Sequence, residues 1–368
     1  MHKMTFYPIG NADCCLIELE NSKNLLFDYA HCKEFENPDD LRIDLKTEIS
    51  DKMKSKDKKH FDVVTFTHAD DDHIRGFSDI FYLLHAKKYQ SDDRFKIEEL
   101  WVPANVICEK NLTAEAKILQ AEARYRLKNK LKIKVFSRPS MLKEWFEDEG
   151  VNSSDFTSHM VDAGQIIQNY NLINDGLEIF VHSPFAIRKE EELEDRNTGS
   201  IVVQCVFRKD DHDTKAILSA DTTYENWENV VNITKYHKRE ARLNWDIIKL
   251  PHHCSYTALS SDKGKEKTEP TKDVKWLYEQ GNVGSKIIST SDSIPSEDAD
   301  QPPHRQAANY YKDVANNLTG EFLVTMEYPK KSRPEPLVIT IDAYGATTVK
   351  RNLGAVGIIS HQPTRRAG

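Results

Sequence analysis

The apolar run FDVVTFT, residues 61–67, stops in HADDDH, so two histidines and three aspartates fall within six residues where a strand-like segment ends. Few features limit a fold as strongly. The strand must finish at an edge where imidazoles and carboxylates can face one centre, and other strand ends must supply what that centre lacks. Imidazole and carboxylate are donors that zinc, manganese and iron favour. In an extended segment alternate side chains share a face, so His68 and Asp70 point together, and Asp72 and His73 follow as the chain turns toward a helix. Such a run can hold two adjacent metals, one on each pair. Gly76, three residues on, allows close packing at the helix start. The plainer alternative is an Asp-rich turn in which Asp71 or Asp72 caps a helix beginning near His73.

The flanking sequence reads as many short strands. MTFYPIG, CCLIEL and NLLFDY follow one another across residues 4–29 with Gly10, Asn11 and Asn21 at the turns, which suggests a meander. Strand-length apolar runs recur at KIEELWVP, LEIFVHSP, SIVVQCVF, KAILSAD, WDIIKLPHH and SKIISTS, then at GEFLVTMEY and PLVITIDAYG. Leu41, Ile43, Leu45 and Ile49 mark a helix or ordered connection, residues 74–89 have helical spacing, Thr113–Lys130 predicts a long exposed helix, and Gln306–Asn317 predicts another. Two strand ends carry candidate chemistry. KAILSAD ends in Asp221, placed to bridge two ions, although Thr222 and Thr223 beside it suit a helix cap equally well. WDIIKLPHH ends in His252 and His253, whose side chains should diverge, one toward a metal and one toward substrate; a solvent-exposed pair fits the same stretch.

The net charge of −8 argues against a surface that binds nucleic acid by general electrostatics. Local basic strips occur at Lys52–Lys59 and Arg126–Lys134, a pattern more typical of solvated faces. No run approaches the roughly 18 apolar residues of a membrane span, and no basic segment followed by an apolar run opens the chain. The expectation is a cytoplasmic protein with no membrane association. Cys14, Cys15, Cys32, Cys108, Cys205 and Cys254 form no CxxC pair and read as reduced, buried thiols. Glu190–Arg196 reads as an acidic surface loop and Asp262–Lys275 as a lysine-rich excursion.

His68, Asp70, Asp72 and His73 form HxDxDH, which resembles the HxHxDH signature of the metallo-β-lactamase-fold hydrolases, and within them the hydrolase domain of the DNA-uptake competence protein ComEC and its soluble relatives. PIGNADCCLIEL followed by LLFDYA is similar to that subgroup's opening turn and strand pair, and RNTGSIVVQ, with Asn197 and Ser200, to its Asn-x-x-Ser strand. LSAD, KLPHHCS, IISTSDS and PPHRQ resemble its Gly-Asp strand end, HHGS motif, final strand and terminal histidine, His304. Departures are Asp70 for histidine, Ala30 and Ala220 for glycines, and Cys254 for the glycine after the histidine pair. The family's third histidine has no clear counterpart, and His182 reads as structural rather than as a ligand.

The resemblance implies an α/β chain folded as a four-layer αββα sandwich with helical and C-terminal β insertions. Residues 1–318 form the hydrolase domain, with insertions near 105–160 and 260–278, and residues 319–368 a β-rich extension packed on it. It also implies one or two divalent ions, zinc or manganese, held by His68, Asp70, Asp72, His73, Asp221 and His253. Asp72 would both ligate and orient the attacking water, and His252 or His304 would contact the scissile group or protonate its leaving oxygen. The implied activity is metal-dependent hydrolysis of a phosphodiester by a phosphodiesterase or nuclease. DNA or RNA is the leading substrate class, and a small nucleotide or phosphocholine-like ester the alternative. The departures motivate a reading of another class: a degenerate hydrolase serving as a regulatory module with a protein partner.

Overall fold

Val63 and Val64 are both fully buried, and as neighbours in a strand they face opposite ways, so both faces of their sheet must be covered. A computed structural model, which describes residues 1–110, 112–185 and 199–349, shows by what. Val64 packs with Leu16, Leu26, Leu100 and Val135 against helices Leu45–Lys54, Ala104–Cys108, Ala114–Lys128 and Ser140–Asp148. Val63 packs with Ile17, Leu25 and Trp101 against Val181, Val203, Ala216, Ile247 and Ile288 of a second sheet. The partners Ile217, Ile248 and Ile287 turn the other way, onto helices Tyr224–Tyr236, Lys272–Tyr278 and Arg305–Asn317. Three apolar interfaces therefore separate four layers: helix, sheet, sheet, helix.

The first, ten-stranded sheet runs Gly345–Thr348, Leu337–Asp342, His2–Phe6, Cys15–Glu18, Asn24–Phe27, His60–Thr65, Phe95–Pro103, Ile133–Phe136 and Met160–Val161, with Phe81–Tyr82 pairing beside Phe95. It is antiparallel up to Asn24–Phe27 and parallel from there on. The second sheet runs Glu321–Val324, Gly281–Ser289, Trp245–Lys249, His212–Leu218, Val202–Lys209 and Leu177–Ser183, its first four strands mutually parallel. Residues 319–348, set apart above as an extension, thus supply strands to both sheets.

The helical spacing over residues 74–89 does not produce a helix there. Asp71–Ile74 makes one turn, Gly76 adopts a left-handed φ of +71° that stops it, and the chain continues through the short turn Phe77–Asp79 into the strand Phe81–Tyr82. Ile74, Phe77, Ile80 and Phe81 are buried in a compact loop, which the same apolar spacing serves equally well. Gly76 therefore matters for its backbone rather than for close packing, since an added Cβ would meet only the His31 Cβ at 3.4 Å. The helix expected over Thr113–Lys130 forms at Ala114–Lys128 and is exposed on one face only: Leu119, Glu122, Ala123, Arg126 and Leu127 are buried, while Lys117, Ala121 and Lys128 face outward. All six cysteines are free and buried. Glu190–Arg196 and Asn197 lie outside the described residues, and among those described no helix is long and apolar enough to cross a membrane.

Candidate metal centre

The parallel strands of both sheets end at one edge, where side chains of open α/β sheets converge most readily. Strand His60–Thr65 delivers His68 to His73, His212–Leu218 delivers Asp221, and Trp245–Lys249 delivers His252 and His253. Four of these meet. Asp72, His73, Asp221 and His253 each offer a ligand atom, all within 4.8 Å of one another, and all but the partly exposed Asp72 are buried. His253 Nε2 is 3.0 Å from Asp72 Oδ2, and His73 Nε2 is 3.3 Å from Asp221 Oδ1.

The capping alternatives fail on position. The helix after the motif has Asp70, not Asp71 or Asp72, at its N-cap, with no side-chain cap bond. Asp221 is buried against the histidines while Thr223 takes the N-cap of helix Tyr224–Tyr236.

His68 and Asp70 stand beside the four rather than among them. His68 is buried, its ring 3.7 Å from that of His73, with Nε2 3.9 Å from Asp221 Oδ2. Asp70 lies on the other edge of that imidazole, 3.4 Å from Nδ1. His252 and His253 do diverge, their rings 6.3 Å apart at 87°. The backbone causes this: His252, His253 and Cys254 have φ of +47°, +51° and +65°, three consecutive left-handed residues, each costing about 1–2 kcal/mol outside glycine. His304 is buried beside Tyr256, its backbone N–H donating to Cys254 and its Nδ1 receiving the Tyr256 N–H at 3.4 Å. His182 Nε2 donates to the Arg242 carbonyl at 3.0 Å, and burial depresses its pKa to about 4, so it stays neutral and structural.

Sequence reasoning missed the layer behind these residues. Asp28 accepts from His73 Nδ1 at 2.8 Å, from the Thr67 amide and from the Thr67 hydroxyl. The Thr290 carbonyl accepts from His253 Nδ1 at 2.8 Å. With both Nδ1–H groups donated outward, both Nε2 atoms face the shared centre, the arrangement in which a metal-binding imidazole is oriented from behind. Asp28 carries a legible signal, a carboxylate directly after the apolar strand Asn24–Phe27.

His68 Nε2, His73 Nε2 and Asp221 Oδ1 are buried without a hydrogen bond among the described residues. Orphaned atoms of this kind are costly unless something else satisfies them. A divalent cation bound by nitrogen and carboxylate fits the donor set. The electrostatics agree. Burial alone would raise the carboxyls of Asp72 and Asp221, yet His73 and then His253 hold both below the usual range. Burial would depress His73 and His253, yet Asp28 and Asp221 around the first, and Asp221 and Asp72 around the second, raise them. The carboxylates thus draw positive charge into the centre, and protons on the imidazoles stand where a cation would.

No family model and no curated protein matches the sequence. Solved structures do. The chain is similar to yeast PDE1, at 10% identity over 88% of this chain and 96% of that one, with a TM-score of 0.42. It is similar to a diphosphatase from the PhnP family, at 10% identity over 92% and 97%, with a TM-score of 0.34. It is also similar to the class B3 di-zinc metallo-β-lactamase LRA-12 from an Alaskan soil metagenome, at 12% identity over 75% and 89%, with a TM-score of 0.34. The fold itself is a four-layer αββα sandwich.

Proposed function

We propose that this protein is a metal-dependent phosphodiester hydrolase of the metallo-β-lactamase fold, akin to the ComEC-like subgroup. The observation that carries the reading is the convergence of Asp72, His73, Asp221 and His253, with buried ligand-type atoms that make no hydrogen bond among the described residues. These four would hold a divalent ion, zinc or manganese. His68, with Nε2 toward Asp221, and Asp70 would serve a second one. A bound divalent ion supplies Lewis acidity toward a phosphoryl oxygen and makes a water acidic near neutral pH. Asp72, part-exposed at the rim, would hold the ion and orient that water. His252, half-buried and diverging from His253, or His304 would contact the scissile group or protonate the leaving oxygen.

The basic strips do not support a nucleic-acid groove at the site. Lys52 and Lys56 pair with Glu18, Arg126 is buried against Glu122, and Lys128 pairs with Glu149. Both strips also precede the starts of parallel strands, the edge opposite the site. A phosphodiester gripped at the centre itself needs neither strip.

The test is elemental analysis of wild type beside Asp72→Ala, with the same samples assayed on bis-p-nitrophenyl phosphate and on single-stranded DNA across a salt series. Near-stoichiometric metal and Asp72-dependent cleavage are expected. A DNA substrate bound through several phosphates would weaken steeply with salt and a small ester would not. Metal-free protein that stays inactive after Mn²⁺ or Zn²⁺ is added would overturn the reading in favour of an interaction module.

A further inference from the structure

A buried charge pair directly behind the centre has no part in the chemistry described so far. Asp13, in the turn between strands His2–Phe6 and Cys15–Glu18 of the first sheet, is 3% exposed, and Lys249, the last residue of strand Trp245–Lys249 of the second, is 5% exposed. Lys249 Nζ donates to Asp13 Oδ2 and, at 2.8 Å, to the Ser219 carbonyl. The Thr290 hydroxyl donates to Asp13 Oδ1. Burying such a pair costs about as much desolvation as the attraction returns, so its presence is poor evidence of a stabilising role.

Its position suggests another role. Asp13 Oδ2 lies 3.7 Å from His73 Nε2, and Oδ1 lies 4.0 Å from His253 Nδ1. The Asp13 backbone N–H donates to the Asp72 carbonyl at 3.0 Å. Thr290, which holds the Asp13 carboxylate by its hydroxyl, holds His253 by its carbonyl. One residue thus touches the supports of three of the four candidate ligands, which come from both sheets. Asp13, Asp28 and His73 could be taken for a cation site of their own, their ligand atoms lying within 4.8 Å. That place already has its cation, the Lys249 ammonium.

We infer that Asp13 is a positioning residue of the metal centre and that Lys249 withholds it from the ion. Lys249 and Thr290 occupy the carboxylate's oxygens, so Asp13 braces the His73 and His253 sides of the centre without becoming a ligand. The inference rests on the metal-centre reading above.

The experiment compares wild type, Lys249→Met, Asp13→Asn and Thr290→Val by titration calorimetry with Mn²⁺ and by the visible spectrum of the Co²⁺-loaded protein, with circular dichroism as the check on folding. Asp13→Asn should weaken Mn²⁺ binding by about 10–100-fold, as loss of groups that orient ligands does. Lys249→Met should alter the Co²⁺ spectrum, because the released carboxylate enters the coordination sphere as an extra oxygen donor. Thr290→Val removes one hydroxyl and should weaken Mn²⁺ binding by a smaller factor. Folded variants with wild-type Mn²⁺ affinity and a wild-type Co²⁺ spectrum would overturn the inference. If the two charge variants do not fold, an unchanged Thr290→Val overturns it and a weakened one supports it. A wild type that binds neither ion overturns the metal-centre reading itself, and this inference with it.

Discussion

Two buried charged clusters lie at opposite ends of the molecule, and they differ in whether their polar atoms are satisfied. In helix Ala114–Lys128, Glu122 accepts from Arg126 Nε at 2.7 Å and from the His85 amide and ring at 3.0 and 2.9 Å. Arg126 spends its other donors on the carbonyls of Ile97 and Lys132. Each nitrogen and oxygen of the two side chains has a partner. At the other edge, Asp72, His73, Asp221 and His253 are drawn together with His68, and three of their buried atoms make no hydrogen bond among the described residues. Burial and charge are common to both clusters, so neither marks a functional site. The deciding feature is convergence, several ligand-type side chains without a full set of partners among the described residues meeting at one place.

The largest expected effect tests the open cluster. Asp72→Ala should abolish turnover and lower metal affinity by more than the roughly 10–100-fold that a second-layer partner costs. A variant that retains full metal content and rate would erase the distinction between the clusters.

Next in size is the closed cluster. Glu122→Ala strands a buried guanidinium and should cost about 3–5 kcal/mol in urea unfolding, while metal stoichiometry and turnover per folded molecule stay at wild-type values. If turnover falls in the folded fraction, the two ends are coupled and the comparison breaks.

Titration sharpens the contrast. Burial would raise the Glu122 carboxyl, but His85 and then Arg126 hold it below its ordinary 4.5. A depressed carboxyl contributes stability that is present above the unfolded-state value and lost as pH falls through the folded one. Acid unfolding below about pH 4.5 should therefore be blunted in Glu122→Gln, which has no such proton to take up. At the open cluster the sign reverses for the imidazoles. His73 and His253 are raised, so in metal-free protein their contribution is present below their ordinary 6.5 and lost as pH climbs through the folded values. A metal must displace those protons, and its stabilising effect, read as the shift in melting temperature with Mn²⁺, should be larger at pH 8 than at pH 6.

The smallest effect concerns the strained turn. Cys254→Gly relieves a φ of +65° but removes a fully buried thiol from the helix-side core, two terms of about 1 kcal/mol and opposite sign. Net stability should move by less than about 1 kcal/mol in denaturant titration, with metal content unchanged.

Much of this was legible in the sequence because local rules carried it. The adjacent apolar pairs in NLLF, DVVT, DIIK and KIIS give strands buried on both faces whatever the tertiary partners are, and a polar cluster at the end of such a strand must sit at a sheet edge. His68, Asp72, His73, Asp221 and His253 could be singled out for that reason. Residues 74–89 misled because buried apolar spacing in a compact loop imitates a helix. Thr113–Lys130 seemed exposed because Glu122 and Arg126 are charged, and only their mutual pairing lets them be buried.

The tertiary structure alone decided which candidates meet. Asp13 and Lys249 are 236 positions apart, and Asp72 and His253 are 181 apart. Periodicity and capping act over a few residues, whereas the register of one sheet over another is a property of the packed core. The sequence by itself determined strands on both faces, their polar ends and the metal-favouring donor types. The packing of the two sheets decided that four side chains share a centre, that His68 and Asp70 stand at its side, and that a lysine from one sheet restrains an aspartate of the other behind it.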